Sequence, residues 1–275
     1  HETLGQNPFW TLYNDVLDDN RTRIQGFVKV NFEITDWFSL FVRTGVDQVS
    51  QSFERIDQYG HWYAPEGYFN YTTNAIRETN SDILLMFKKP ISDDFNFSAN
   101  VGANAMHNSY TAQGVNGTRF RIPTKPTTSS ADEVNPSYTP LREKKIHSIY
   151  GSASFSFRNF IYLDLTGRND WSSTLPEENW SYFYPSVSLS VLLNEIIDPN
   201  NTVLNYLKVR GSWAQVGSDT GPYQLDIAYN INSKEGSYLG KTVLSRPGVR
   251  LNPDLKPERT SSLEFGAEFR MFNSR

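Results

Sequence analysis

The chain has 275 residues, 26 Lys and Arg against 30 Asp and Glu, a formal net charge of −4 and no cysteine. This composition excludes disulfides and thiolate metal sites, and mild acidity without a dense basic run argues against a nucleic-acid partner. No stretch approaches the roughly 18–20 apolar residues of a membrane helix, whereas a mean hydropathy of −0.53 is compatible with membrane strands, whose two faces average to a polar value.

At the amino terminus, His1-Glu2-Thr3-Leu4 has neither a basic n-region nor an apolar h-region. No signal peptide is expected there, and the sequence reads as a mature or internal segment. Period-two alternation then recurs about nine times. From Arg21 to Ile34, Ile24, Gly26, Val28, Val30, Phe32 and Ile34 alternate with Arg23, Gln25, Lys29, Asn31 and Glu33. After Thr35–Trp37 the pattern resumes, with Phe38, Leu40, Val42 and Val46 against Ser39, Arg43 and Asp47. A less regular segment lies near Asp82–Lys88. A very regular one follows, with Phe95, Phe97, Ala99, Val101, Ala103 and Ala105 against Asn96, Ser98, Asn100 and Asn104.

A hairpin is expected about Arg158-Asn159. Ile149, Ala153, Phe155 and Phe157 precede it and Ile161, Leu163 and Leu165 follow, interleaved with Ser148, Ser152, Ser154, Tyr162 and Asp164. Val187, Leu189, Val191 and Leu193 make the seventh segment, and Leu207, Val209 and Trp213 the eighth. Leu263, Phe265, Ala267 and Phe269 make the ninth. Several runs are about twice the roughly five to six residues of an ordinary soluble strand.

The connections alternate in length. Thr35–Trp37, Lys89–Asp94, Arg158-Asn159 and Asn194–Asn205 are short or compact, whereas 47–76, 107–145, 169–181 and 217–259 are long and polar. Loops beyond about 12–15 residues are uncommon in compact domains, so their recurrence at every second turn places them all on one side of the sheet. Trp37, Phe38, Phe95, Phe97, Phe155, Phe157, Phe160 and Phe269 gather at the short-turn ends, with Tyr182, Phe183, Tyr184 and Trp213 toward the other. Short turns on one rim, long loops on the other and two aromatic girdles describe an outer-membrane β-barrel. Aromatics capping the core of a soluble sandwich are the alternative, but a sandwich has no reason to sort its loops. The odd strand count predicts further strands from sequence outside this chain, because bacterial single-chain barrels use even numbers.

No enzyme constellation is present, so no catalytic residue, cofactor or metal site is expected. The four histidines, at 1, 61, 107 and 147, form no H-x-x-x-H pair, and no nucleophile elbow, Walker loop or dinucleotide fingerprint occurs. Residues 59–71 are dense in aromatics, which can stack on sugar rings or grip peptide side chains. His61, Trp62, Tyr63, Tyr68 and Tyr71 are therefore the candidate substrate contacts. The alternatives are a solvated His61 and a loop that packs against another loop or a partner subunit.

Leu165-Thr-Gly-Arg168-Asn-Asp170-Trp-Ser-Ser173, followed by Trp180-Ser-Tyr-Phe-Tyr-Pro185-Ser-Val-Ser-Leu189, resembles the SusC/RagA family of Bacteroidetes outer-membrane transporters. Leu207-Lys-Val-Arg-Gly-Ser-Trp213 with Val216-Gly217 resembles that family's next strand. Asn252-Pro253-Asp-Leu255-Lys256-Pro-Glu258-Arg-Thr260 resembles a later element, and Asn7-Pro8-Phe9-Trp10 and Ile34-Thr-Asp-Trp37 upstream ones. Trp171 stands where the family often has Gly, and Pro257 where an aromatic is common.

The resemblance implies an all-β fold, an antiparallel transmembrane β-barrel present in part: about nine strands of about 22, with long extracellular loops and short periplasmic turns. Residues 1–275 would be one piece of the barrel domain, with the plug and the carboxy-terminal strands outside this chain. It further implies an outer-membrane importer of oligosaccharide or peptide, working with a SusD-like surface lipoprotein and TonB in contact with outer-membrane lipid. Arg168, Asp170, Pro185, Asn252, Pro253 and Glu258 would be structural motif residues. Two other classes are a passive porin or structural barrel subunit, and a soluble carbohydrate-binding β-protein.

Overall fold

Alternation becomes a nine-stranded meander in the computed structural model, which describes residues 5–197, 203–225, 227–232 and 241–272. A short helix, α1 (Pro8–Asn14), opens it. Asn7 caps this helix by accepting from the Phe9 N–H at 2.9 Å, and Pro8 fixes the backbone angle of the first turn, where its missing N–H costs nothing. Then come β1 (Val16–Thr35), β2 (Phe38–Asp57), β3 (Tyr68–Pro90), β4 (Phe95–Phe120), β5 (Ala131–Phe157), β6 (Ile161–Ser172) and β7 (Ser181–Leu192). They are followed by α2 (Asn194–Ile197), β8 (Leu204–Ser218), β9 (Asn230–Asn232), β10 (Val243–Ser245) and β11 (Glu258–Met271). Strands β1 to β8 neighbour one another in chain order and β11 joins β8, while β9 and β10 form a separate two-stranded pair. The large sheet is open, with β1 and β11 as its edges.

Register sorts the side chains into two unlike faces. One row reads Phe155, Leu163, Leu189, Gly211, Phe265, and the next Ala153, Leu165, Val187, Trp213, Leu263. On the opposite face run Ser154, Asp164, Ser188, Ser212, Glu264 and Ser152, Thr166, Ser186, Ala214, Ser262. The apolar rows are not tucked under a second layer. Phe265 is 80% exposed, Val28 67% and Leu189 46%. A single sheet that leaves such residues uncovered buries them in lipid, and its polar face lines the lumen.

The short connections match expectation. Asp36-Trp37 turns β1 into β2, and residues 158–160 turn β5 into β6. Arg158 and Asn159 both have positive φ, 46° and 58°, the left-handed conformation a tight hairpin demands and Asn tolerates. Asp94 holds Arg158 there: its carbonyl accepts from the Arg158 N–H at 2.7 Å and its carboxylate from Nη2 at 3.0 Å. Beside these turns lie stacked Phe38 and Phe87 (centroids 4.8 Å apart) and the Phe97–Phe155 and Phe157–Phe160 pairs, at 5.0 and 5.6 Å.

The long connections are shorter than the sequence predicts. Two expected loops, 47–76 and 107–145, are mostly strand: β2 continues to Asp57 and β4 to Phe120, leaving connections at 58–67 and 121–130. Strands β3, β4 and β5 have 23, 26 and 27 residues, whereas crossing a bilayer takes about 9–11. Outside lipid both faces of a strand meet water, so apolar alternation lapses while backbone pairing persists. Polar cross-strand contacts replace it, among them Arg23–Asp47, Arg119–Glu133 at 2.7 Å and His107–Glu143 at 2.8 Å. Of the expected 217–259 and 194–205 connections, residues 226 and 233–240 and residues 198–202 lie outside the described residues.

By its contacts the chain divides into two compact units. One comprises His1–Phe27, Gly45–Thr79 and His107–Glu143; the other comprises Val28–Thr44, Asn80–Met106 and Lys144–Arg275. The first has its own small core, in which Phe69 is fully buried with Ile56, Phe120 and Ala131, and Tyr71 and Val115 pack around them. Gly67 (φ +86°) lies against the Phe120 ring and Gly117 against Phe69, so a Cβ at either position would overlap the ring.

Candidate functional site

Two groups of residues stand out, one on the lumenal face of the second unit and one in the first. Arg168, Asp170 and Ser172 alternate along β6 and so share the lumenal face. Arg168 Nε donates to Asp170 Oδ1 at 2.7 Å and Nη2 to Ser148 Oγ at 2.8 Å, and its guanidinium lies 5.4 Å from the centre of the Tyr150 ring. The Tyr184 hydroxyl donates to the other Asp170 oxygen, and Tyr182 stacks on Tyr184 at 5.9 Å. Asp170 is only 6% exposed, so β6 and β7 meet at one buried carboxylate while Ser148 of β5 holds its arginine partner.

Further along the same face, the Ser172 and Thr174 hydroxyls donate to Asp219, just beyond β8, and Lys144 Nζ reaches it at 2.5 Å. Nearby on the sheet, Asp82 accepts from Arg43 at 2.7 and 3.0 Å and from Asn104 at 2.8 Å. The sequence singled out Arg168 and Asp170 but not Lys144, Asp219 or Asp82. Pro185 stands opposite Gly167 in the register. Asn252 accepts from the Asp254 N–H at 3.0 Å across Pro253, a side-chain-closed turn, and Glu258 begins β11 opposite Ser218.

The expected substrate-contact residues separate. The 58–67 connection is braced by Gly60 N–H to Pro65 O at 2.8 Å and Gly67 N–H to Ala64 O at 2.9 Å, and residue 62 by its N–H to Gln6 Oε1 at 2.7 Å. Trp62 and Tyr63 remain 49% and 74% exposed. Tyr63 and Tyr68 wall an open pocket of about 630 Å³ with Arg55, Asp57, Pro65, Glu66 and Arg119, within the roughly 300–1,000 Å³ of small-ligand sites. Arg55 grips Asp57 with two hydrogen bonds of 2.9 Å and faces the Tyr68 ring at 5.8 Å. Tyr71 instead joins the core: its ring is 5.1 Å from Phe69 and its hydroxyl donates to Pro126 O at 3.1 Å. Burial, with the Glu54 carboxylate nearby, pushes its phenol above the ordinary value.

His61 is also buried. Its Nδ1 accepts from the Tyr63 N–H at 3.2 Å, and Nε2 lies 3.5 Å from Asp15 Oδ2. Asp15, Asp57 and His61 place one potential metal ligand each within 4.8 Å of one another. The donors are already engaged, however. Tyr63 leaves the neutral ring its proton on Nε2, facing Asp15, while Arg55 occupies Asp57 and the Gln58 N–H donates to Asp15 at 3.2 Å. A metal ion on Nε2 would require the proton on Nδ1, against another N–H, so the group fits a hydrogen-bonded clasp better than a metal centre.

A sheet of long strands with an apolar outer face, a hydrogen-bonded polar inner face and an aromatic rim at its short turns is a segment of an outer-membrane β-barrel. The chain belongs to the TonB-dependent receptor family: all of it, residues 1–275, matches the family described as "TonB dependent receptor-like, beta-barrel". It is similar to TonB-dependent receptor P26 of Formosa agariphila, 32% identical over 136 residues, which is 48% of this chain and 13% of the relative. Among solved structures it resembles the RagAB peptide transporter (TM-score 0.80, 18% identity, 97% of this chain and 30% of that one). It also resembles the ferric preacinetobactin receptor BauA of Acinetobacter baumannii (TM-score 0.53, 12% identity, 90% of this chain and 35% of that one). The chain thus spans less than a third of the RagAB chain and about an eighth of the curated relative.

Proposed function

We propose that this chain forms part of a TonB-coupled outer-membrane importer of oligosaccharide or peptide cargo, which cargo meets first at the outer extensions of β2–β5. A SusD-like surface lipoprotein would close over those extensions, and TonB would act through parts of the protein outside this chain. The reading rests on one observation above others. Strands about twice as long as a bilayer requires, or longer, carry a stiff, aromatic-walled pocket, with Tyr63 and Tyr68 beside Arg55 and Arg119. Rings stack on sugars or on the apolar side chains of a peptide.

The test is binding of oligopeptide and oligosaccharide pools to the full-length protein, compared between wild type and Trp62→Ala/Tyr63→Ala/Tyr68→Ala. Stacking contacts contribute on the order of 1–3 kcal/mol each, so the Kd for captured cargo should rise at least about tenfold while the barrel stays heat-modifiable. Unchanged binding would move capture elsewhere and leave these aromatics a packing role.

A further inference from the structure

We propose that the outward face of the second unit carries a binding site for a phosphorylated lipid of the outer leaflet. Lys145, His147 and Trp171 would hold the headgroup phosphate, and an apolar groove beneath them would take one acyl chain. The level of the site in the membrane follows from strand length. Strand β6 has 12 residues, about the number needed to cross a bilayer at a tilt, so Trp171 near its outer end lies among the headgroups, where Trp is favoured. His147 is the register partner of Trp171. Lys145, two residues farther along β5, shares that face roughly 7 Å away.

All three side chains carry N–H donors, and none has a hydrogen-bond or ion-pair partner among the described residues. Their charged neighbours are occupied: Lys144, on the opposite face, is held by Asp219 at 2.5 Å, and Glu143 by His107 at 2.8 Å. The carboxylates near this level are engaged by other groups, Glu143 by His107 and Asp82, which also lines the groove, by Arg43 and Asn104. Donors left unpaired at a lipid boundary are costly, and a headgroup phosphate supplies the acceptors.

Directly below, Ile149, Ile83, Val42, Ala103 and Ala105 line a groove of about 470 Å³ together with His147 and Trp171. The alanines leave the trough and the branched side chains form its walls. Elsewhere on this face, rows such as Leu165, Val187, Trp213, Leu263 offer apolar contact without a cationic partner. Cation and groove coincide only here among the rows with a described register. This inference rests on the membrane orientation of the sheet and is independent of the cargo reading.

The experiment uses the full-length protein purified in a neutral detergent. Native mass spectrometry reads the retention of a phosphorylated glycolipid and of the same lipid after dephosphorylation, with inorganic phosphate as a third probe. Wild type should prefer the phosphorylated lipid about fivefold or more, the size expected of a basic residue near an anionic surface. Lys145→Gln/His147→Gln should abolish that preference, and Ala105→Phe should lower retention of both lipids. The glutamine variants alter exposed positions and leave the barrel fold intact as judged by heat-modifiability. Equal retention of the two lipids by wild type would overturn the proposal, as would an unchanged preference in Lys145→Gln/His147→Gln. Loss of self-association in place of lipid would assign the groove to a second copy and also overturn it. Competition by inorganic phosphate at the same concentration as the lipid would overturn the acyl-chain half.

Discussion

Replacing Asp170 tests whether the lumenal network holds the strands together. Its side chain is 9% exposed, and its carboxylate accepts from Arg168 Nε at 2.7 Å and from the Tyr184 hydroxyl. Hydrogen bonds to a charged group contribute about 1.5–3 kcal/mol each, so two would give about 3–6. Arg168, however, has 36% of its side chain exposed, and water can take over part of its pairing. The expected cost of Asp170→Ala is therefore about 2–3 kcal/mol, most of it from the stranded Tyr184 hydroxyl and the misaligned guanidinium. Asp170→Asn keeps one acceptor and should lose about half as much. The assay is urea unfolding of the full-length protein in micelles, read by intrinsic fluorescence and by the heat-dependent shift in electrophoretic mobility. Arg168→Ala and the double variant complete a cycle whose coupling should be about 1–2 kcal/mol. A loss below about 0.5 kcal/mol for Asp170→Ala, or strict additivity in the cycle, would refute the reasoning.

The lipid face predicts that Cys placed at Val28, Val101, Leu163 or Leu189 reacts with a lipid-phase label, whereas Cys at Lys29, Asn100, Asp164 or Ser188 reacts with a water-soluble one. Leu163→Arg should destabilise the barrel by about 2–4 kcal/mol near the midplane, and labelling of the two sets in reverse would invert the faces. Trypsin added to intact cells should cut after Arg121, in the 121–130 connection, and spare Arg158 in its three-residue turn. A cut at Arg158 would reverse the orientation.

The membrane-crossing strands were legible because lipid on one side and water on the other force a strict alternation, and Leu163, Leu165, Val187 and Leu189 carry it plainly. Past the bilayer that force disappears. Residues 47–57 and 107–120 therefore read as polar loops although they remain paired in β2 and β4. Their stability comes from backbone ladders and from pairs such as Gln51–Asp19 at 2.7 Å, whose partners are far apart in sequence. For the same reason Lys144 and Asp219, 75 residues apart, gave no local signal. The aromatic density of 59–71 marked the right region, but alternation within β3 divides it. Tyr68 turns to the pocket, while the neighbouring Phe69 is fully buried and Tyr71 packs against it. Nothing in the sequence around His61 announces Asp15, whose approach depends on α1.

The saturation of the lumenal network separates two duties that the sequence alone runs together. A residue whose donors and acceptors are already spent on neighbouring strands has little left for a passing ligand, because breaking those bonds costs about as much as new ones return. Arg168 is bound to Asp170 and Ser148, Asp82 to Arg43 and Asn104, and Asp219 to Lys144, Ser172 and Thr174. Apart from Arg168–Asp170, which lies within β6, these bonds join different strands or secure a strand exit, which predicts a role in assembly. By contrast, Trp62 and Tyr63 expose 49% and 74% of their surface, on a connection whose backbone is held by Gln6, Gly60 and Gly67. A rigid support with exposed rings loses little entropy when it binds. Substitutions in the first group should therefore lower the yield of folded barrel, and substitutions in the second should lower affinity at constant yield.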